Sequence, residues 1–125
     1  MNDKLKARVR ERAGHRCEYC RLHQDDSPLA ALHIEHIIPR FHGGNDDMDN
    51  LAMACMDCNL HKGPNLTGID PETNAVTELF HPRRNRWEEH FGQDGIRLVG
   101  KTALGRTTVR VLNMNSEDQL ALRSS

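Results

Sequence analysis

The stretch from Leu32 to Gly63 reads "LHIEHIIPRFHGGNDDMDNLAMACMDCNLHKG". Its first part sets His33, His36, His42 and the carboxylate of Glu35 among Ile34, Ile37 and Ile38. A core strand rarely accommodates so many imidazoles, and a solvent loop rarely keeps so many isoleucines. "ALHIEHI" alternates well enough to predict a strand with Leu32 and Ile34 on one side, ending before Pro39. "RFHGGNDD" reads as a loop with a Gly-Gly flex point. "NLAMACMDCNLHKG" reads as partly helical, stopped at Lys62-Gly63 and closed by Pro64.

Two cysteine pairs bracket this segment: "CEYC" at Cys17 and Cys20, "CMDC" at Cys55 and Cys58. Two residues between cysteines let both thiolates face one tetrahedral centre, and a second such knuckle completes a four-sulfur shell. The spacing predicts a structural zinc site on Cys17, Cys20, Cys55 and Cys58. Disulfides are the competing reading. A chain whose start, "MNDKLKARVRERAG", lacks the apolar segment of a secretory signal is expected in the cytoplasm, where disulfides do not persist.

The 125 residues suit one domain, with 37% hydrophobic and only 4% aromatic residues. So thin a core calls for a further cross-link, which zinc would supply. No apolar run reaches membrane-spanning length. The formal net charge of −1 lacks the basic excess usual in nucleic-acid binders. Lys4, Lys6, Arg8, Arg10, Arg12 and Arg16 nevertheless crowd the start, and Arg83, Arg84 and Arg86 cluster in "HPRRNRW". Local fields of this kind attract a polyanion while the total stays near zero, although each arginine alone reads as a solvated residue.

Elsewhere, residues 2–13 predict a helix stopped at Gly14, and "GIDPETNAVTELF" a hairpin turning at Asp70–Asn74. Asn85 and Glu88 suggest a helix start for "RWEEHF". "GIRLVG" reads as a strand. Thr102 is placed to cap "ALGRTTVRVLN", and Ser116 with Gln119 forms a capping box for "EDQLALR". The organisation expected is one domain over 1–125: a core at 17–63, a hairpin and basic extension at 64–91, and packing elements at 92–125.

Glu35, His36, Asn50 and Asn59 thus fall on a strand, loop and helix tied at both ends by the cysteines. Phosphodiester hydrolysis needs a base to take a proton from water and a cation to neutralise charge on phosphoryl and leaving oxygens. A neutral histidine suits the first role, here His36. A carboxylate and an amide oxygen, Glu35 and Asn59, suit Mg2+. Neighbouring strand residues point to opposite faces, so Glu35 and His36 serve one site only if the strand ends, twists or bulges there. Taken singly, His36 could be a hydrogen-bonded structural histidine and the asparagines could be caps.

The text "CEYC … HIEHIIPRFHGGNDDMDNLAMACMDCNLHKG" resembles the HNH endonuclease family: a cysteine pair, an acidic-His doublet before "IIP", a Gly-Gly loop, "NL", and a second cysteine pair followed by Asn and a lysine. The similarity spans Cys17 to Gly63. Through "LFHPRRNRWEEHF" it extends to about Phe91, as in small stand-alone bacterial members. The resemblance implies an α+β fold built on a ββα-metal (His-Me finger) core stapled by a four-cysteine zinc site, with flanking helices and a short hairpin. It implies His36 as general base, Glu35 and Asn59 as ligands of a catalytic Mg2+ or Mn2+, and Asn50 as the middle residue of the motif. The family hydrolyses nucleic acid, usually DNA, leaving a 5′-phosphate and a 3′-hydroxyl; RNA stays open as a substrate. Glu35 departs from the Asp of many members and changes ligand reach by about one methylene. Asn59 in place of His keeps an oxygen ligand, which favours a hard metal.

Around this centre, Lys62, Arg83 and Arg84 are candidate phosphate contacts. His33 is an outer partner or a third ligand, and Trp87 reads as core through its spacing to Phe91. Two other classes compete with a stand-alone enzyme: a non-catalytic zinc ribbon that binds nucleic acid or protein, and a nuclease subunit aimed by a partner.

Overall fold

A computed structural model describes residues 1–124. Helix α1 spans Asp3–Arg12. Asn2 caps it, its side-chain oxygen accepting from the Leu5 amide at 2.8 Å. Gly14 follows with a left-handed φ of 64°. Val9 is the fully buried residue of the helix. Half of the basic cluster predicted to face outward is spent on backbone carbonyls. Arg10 donates to Leu32 O, Arg12 to Met48 O and Leu51 O, and Arg16 to Arg21 O. The helix therefore clamps the elements behind it, and Lys4, Lys6 and Arg8 remain exposed.

Strand β1 is His33–His36, and it pairs antiparallel with β2, Leu51–Ala54, in the register Glu35↔Ala52 and His36↔Leu51. Helix α2, Met56–Lys62, follows at once, with Cys55 as its N-cap. The second strand replaces the first part of the predicted helix. Leu, Ala and Met favour helix locally, but residues 51–54 are all buried. Pairing with β1 and packing under α1 override that preference. Burial along β1 does not follow the expected alternation. Leu32, Glu35 and Ile37 are buried, while His33 is exposed and Ile34 and His36 are half-buried.

The hairpin β3–β4 (Thr67–Ile69 and Val76–Glu78) turns where predicted, with Asn74 in the left-handed region. Helix α3, Trp87–His90, has no side-chain N-cap, because the Asn85 side chain accepts from the His81 amide instead. Strand β6, Arg97–Gly100, finds its partner in β5, Phe91–Asp94. The text "FGQD" carries no alternation that would announce a strand. Helix α4, Ala103–Val111, is capped by Thr102 as expected, and α5 spans Glu117–Ser124. Among the described residues the fold is a small α+β arrangement of three two-stranded sheets and five helices. Its core centres on Tyr19, Leu32, Met53, Phe80, Phe91 and Met114, with the four cysteines embedded in it. No described helix is long and apolar enough to cross a membrane.

Candidate metal centre and catalytic cleft

The first cysteine pair sits in a tight knuckle. Arg16 and His23 form a β-bridge, and the Cys17 amide donates to Leu22 O at 2.8 Å. The second pair opens α2, where the Cys55 sulfur accepts from the Cys58 amide. All four thiols are free, buried, and within 4.8 Å of one another; Cys20 and Cys55 sulfurs are 3.7 Å apart. A tetrahedral zinc with sulfurs about 2.3 Å away would set them roughly 3.8 Å apart. The donor set and spacing fit a closed zinc site. Burial pushes the Cys17 thiol up; hydrogen bonds from the neighbouring thiols pull Cys55 down, and the same contacts push Cys58 up. Zinc binds thiolates, so filling such a site would release protons from the thiols.

Gln119 of α5 reaches this cluster. It is 1% exposed, and its side-chain nitrogen lies 3.4 Å from the Cys55 sulfur and 3.8 Å from that of Cys58. The Ser116 side chain caps α5 through the Gln119 amide as predicted. The Gln119 side chain, however, turns to sulfur and does not complete the capping box.

Ile34, Glu35 and His36 of β1, with Pro39 and Arg40 just after it, line an open cleft together with Asn59 and Leu60 of α2 and Gly63 at its end. The strand ends at His36, which meets the condition set by the pleat for Glu35 and His36 to border one site. His36 Nε2 lies 2.6 Å from Asp46 Oδ1, and Arg40 donates to both oxygens of Asp46, at 2.9 and 3.0 Å. The His36 hydrogen bond, with Arg40 adding, holds the Asp46 carboxyl below the usual range despite partial desolvation. Asp46 was not distinguishable by sequence from Asp47 and Asp49 beside it.

Glu35 is 7% exposed. The Tyr19 hydroxyl donates to one of its oxygens, and the ammonium of Lys62 lies 3.3 Å from the other. Burial pushes the Glu35 carboxyl up, against the opposing pull of Lys62 and Tyr19. Burial and the neighbouring Glu35 charge push the Tyr19 hydroxyl well up, so it stays a donor. Among the described residues, the Asn59 side chain makes no hydrogen bond within the protein.

Asn50 does not line this cleft and makes no hydrogen bond to His36. Its side-chain oxygen accepts from the Ile38 amide at 2.9 Å, and its nitrogen donates to Ile38 O and Asn45 O. It staples the loop across its neck. Gly44 belongs to the same staple, since a Cβ there would stand 1.6 Å from Ile38 O and 2.9 Å from Asn50 Nδ2.

Two of the expected phosphate contacts, Lys62 and Arg83, have carboxylate partners within the protein. Lys62 is 2% exposed and donates to Ile37 O at 2.9 Å, so its charge faces Glu35 and not solvent. Arg83 pairs with buried Glu18, whose other oxygen accepts from the Met53 amide. Arg84 is exposed, in a concavity beside Asn50, His42 and His81. His33 is exposed. Trp87 packs on Phe91 and donates to Tyr19 O.

The described residues thus hold a buried four-thiol cluster and an open cleft bordered by His36, Glu35 and Asn59. Residues 17–65 match the model of the family described as HNH endonuclease, and over that segment the chain is similar to it. Over most of its length, the segment included, the chain is similar to Septu protein PtuB of Bacillus thuringiensis. The two are 27% identical over 118 residues, which take in 93% of this chain and 43% of the relative. The chain thus spans less than half the length of this curated relative. No solved structure matches it.

Proposed function

We propose that the chain is a metal-dependent endonuclease that hydrolyses phosphodiester bonds in DNA, on a ββα-metal core formed by β1, β2 and α2. The observation that carries this reading is the shared cleft of His36, Glu35 and Asn59. Residues 17–63 would hold the chemistry, 64–91 a basic extension, and 92–125 the elements packed against them. His36 takes the proton of the attacking water. Asn50 keeps the loop in shape and thereby the end of β1. Arg84 is positioned to meet the backbone of the substrate without reading sequence.

Glu35 and Asn59 are the residues that would hold a divalent cation. Their oxygens are hard donors, and each Glu35 oxygen accepts from one protein group while keeping a second lone pair. When bound, Mg2+ or Mn2+ supplies charge stabilisation at the phosphoryl and leaving oxygens.

The test is supercoiled plasmid incubated with purified protein across several divalent metals, beside His36→Ala. Wild-type protein nicks or cuts, and the variant loses roughly 10²-fold or more of that rate with zinc content and folding unchanged. A variant that cuts at wild-type rate overturns the assignment. The engagement of Glu35 by Tyr19 and Lys62 favours a second reading, a non-catalytic zinc module. In that case the protein binds DNA or another protein and leaves plasmid intact in every metal.

A further inference from the structure

We propose that Asp46, braced by Arg40, is a positioning residue that sets the tautomer and plane of His36, leaving Nδ1 as the nitrogen that accepts the proton of water. The inference rests on His36 being the base. A carboxylate only accepts hydrogen bonds, so the 2.6 Å contact to Asp46 Oδ1 places the ring proton on Nε2. The neutral ring then carries its lone pair on Nδ1, which makes no hydrogen bond among the described residues.

An exposed ion pair usually constrains little, and Asp46 is 44% exposed. Its setting is different. The residues on both sides of it are pinned to Asn50: Asn45 O accepts from the Asn50 side chain at 2.8 Å, and Asp47 O accepts from the Asn50 amide at 2.8 Å. Arg40 then fixes the carboxylate through both oxygens. Backbone, carboxylate and ring are held in sequence from the staple outward. This also links Asn50 to His36 through the loop, although the two side chains share no hydrogen bond.

The proton balance is simple. Water gives one proton to Nδ1, and the ring becomes an imidazolium. The Nε2 proton stays on the ring, shared with Asp46. Arg40 offsets the charge of Asp46, which remains a carboxylate throughout.

The experiment combines long-range 1H–15N spectra of the His36 ring, recorded where the imidazole is neutral, with plasmid-cutting kinetics. The proteins are wild type, Asp46→Ala, Asp46→Asn and Arg40→Gln. Wild type is expected to show the Nε2–H tautomer. Asp46→Ala mixes the tautomers and lowers kcat at least about tenfold, short of the 10²–10⁴-fold that a general base supplies, with KM little changed. Asp46→Asn, which keeps an acceptor oxygen, restores the tautomer and part of the rate. Arg40→Gln loosens the ring less than Asp46→Ala. An Nδ1–H tautomer in wild type overturns the proposal, and so does an Asp46→Ala spectrum and kcat equal to wild type. If the protein cuts no substrate, the spectra alone decide on Asp46, and the loss falls on the nuclease reading.

Discussion

Lys62 shows how far a single residue can depart from what its neighbours in the chain suggest. It ends a short helix next to Gly63 and Pro64, where a lysine ordinarily reaches solvent. Here its ammonium is buried between Glu35 and the Ile37 carbonyl. Removing it leaves a carboxylate desolvated with only the Tyr19 hydroxyl as partner. Lys62→Met is therefore expected to destabilise the fold by about 3–5 kcal/mol, the cost of breaking one side of a buried pair. Urea unfolding measures this; a change below roughly 0.5 kcal/mol, typical of surface substitutions, would refute the pairing. The cysteine cluster could be read from spacing alone. Asp46, Tyr19 and Lys62 could not, because what selects them is a partner distant in sequence or one acid among several alike.

At the scale of elements, α5 is more than a packing helix. It brings Gln119 against the sulfurs of Cys55, Cys58 and Cys20. An N–H directed at thiolate sulfur stabilises its charge and orients the ligand, the usual work of a group just outside a metal's own ligands. Gln119→Ala should raise the zinc off-rate to a chromogenic chelator about tenfold, with helix content by circular dichroism unchanged. An unchanged release rate would show that α5 only covers the site. The capping-box pattern located the start of α5 correctly and assigned its glutamine to the wrong partner. Strand β2 was hidden for a related reason: the local preference of "LAMA" is helical, and only pairing with β1 decides otherwise.

Across the whole molecule, the hairpin and the C-terminal elements are joined by Asp70 and Arg106. Asp70 is fully buried and takes two hydrogen bonds from the guanidinium of α4, at 3.1 and 2.8 Å, with further donors in Glu72 N and Thr73. The Arg106 hydrogen bonds, with Glu72 N and Thr73 adding, hold its carboxyl far below the ordinary carboxylate range despite desolvation. A depressed folded-state value stabilises above the unfolded value, near 3.9, and that contribution is lost as pH falls from there towards the folded value. Asp70→Asn should accordingly lower Tm at pH 7, and the gap from wild type should narrow as pH drops below about 4. A gap that stays constant over that range would remove Asp70 as the source.

By itself the sequence determined that the four cysteines gather and where several helices and the β3–β4 hairpin begin and end. Cysteine spacing, the Glu-His doublet, the Gly-Gly loop and the helix caps are local signals, and their chemistry depends on residue type and short separation. The tertiary structure alone decided which charges are free. It turned Arg10, Arg12 and Arg83 inward, buried Lys62 against Glu35, placed Asp46 on His36 and brought Gln119 to the sulfurs. Each of those outcomes depends on desolvation and on a partner supplied by another element, quantities that exist only once the chain has closed on itself.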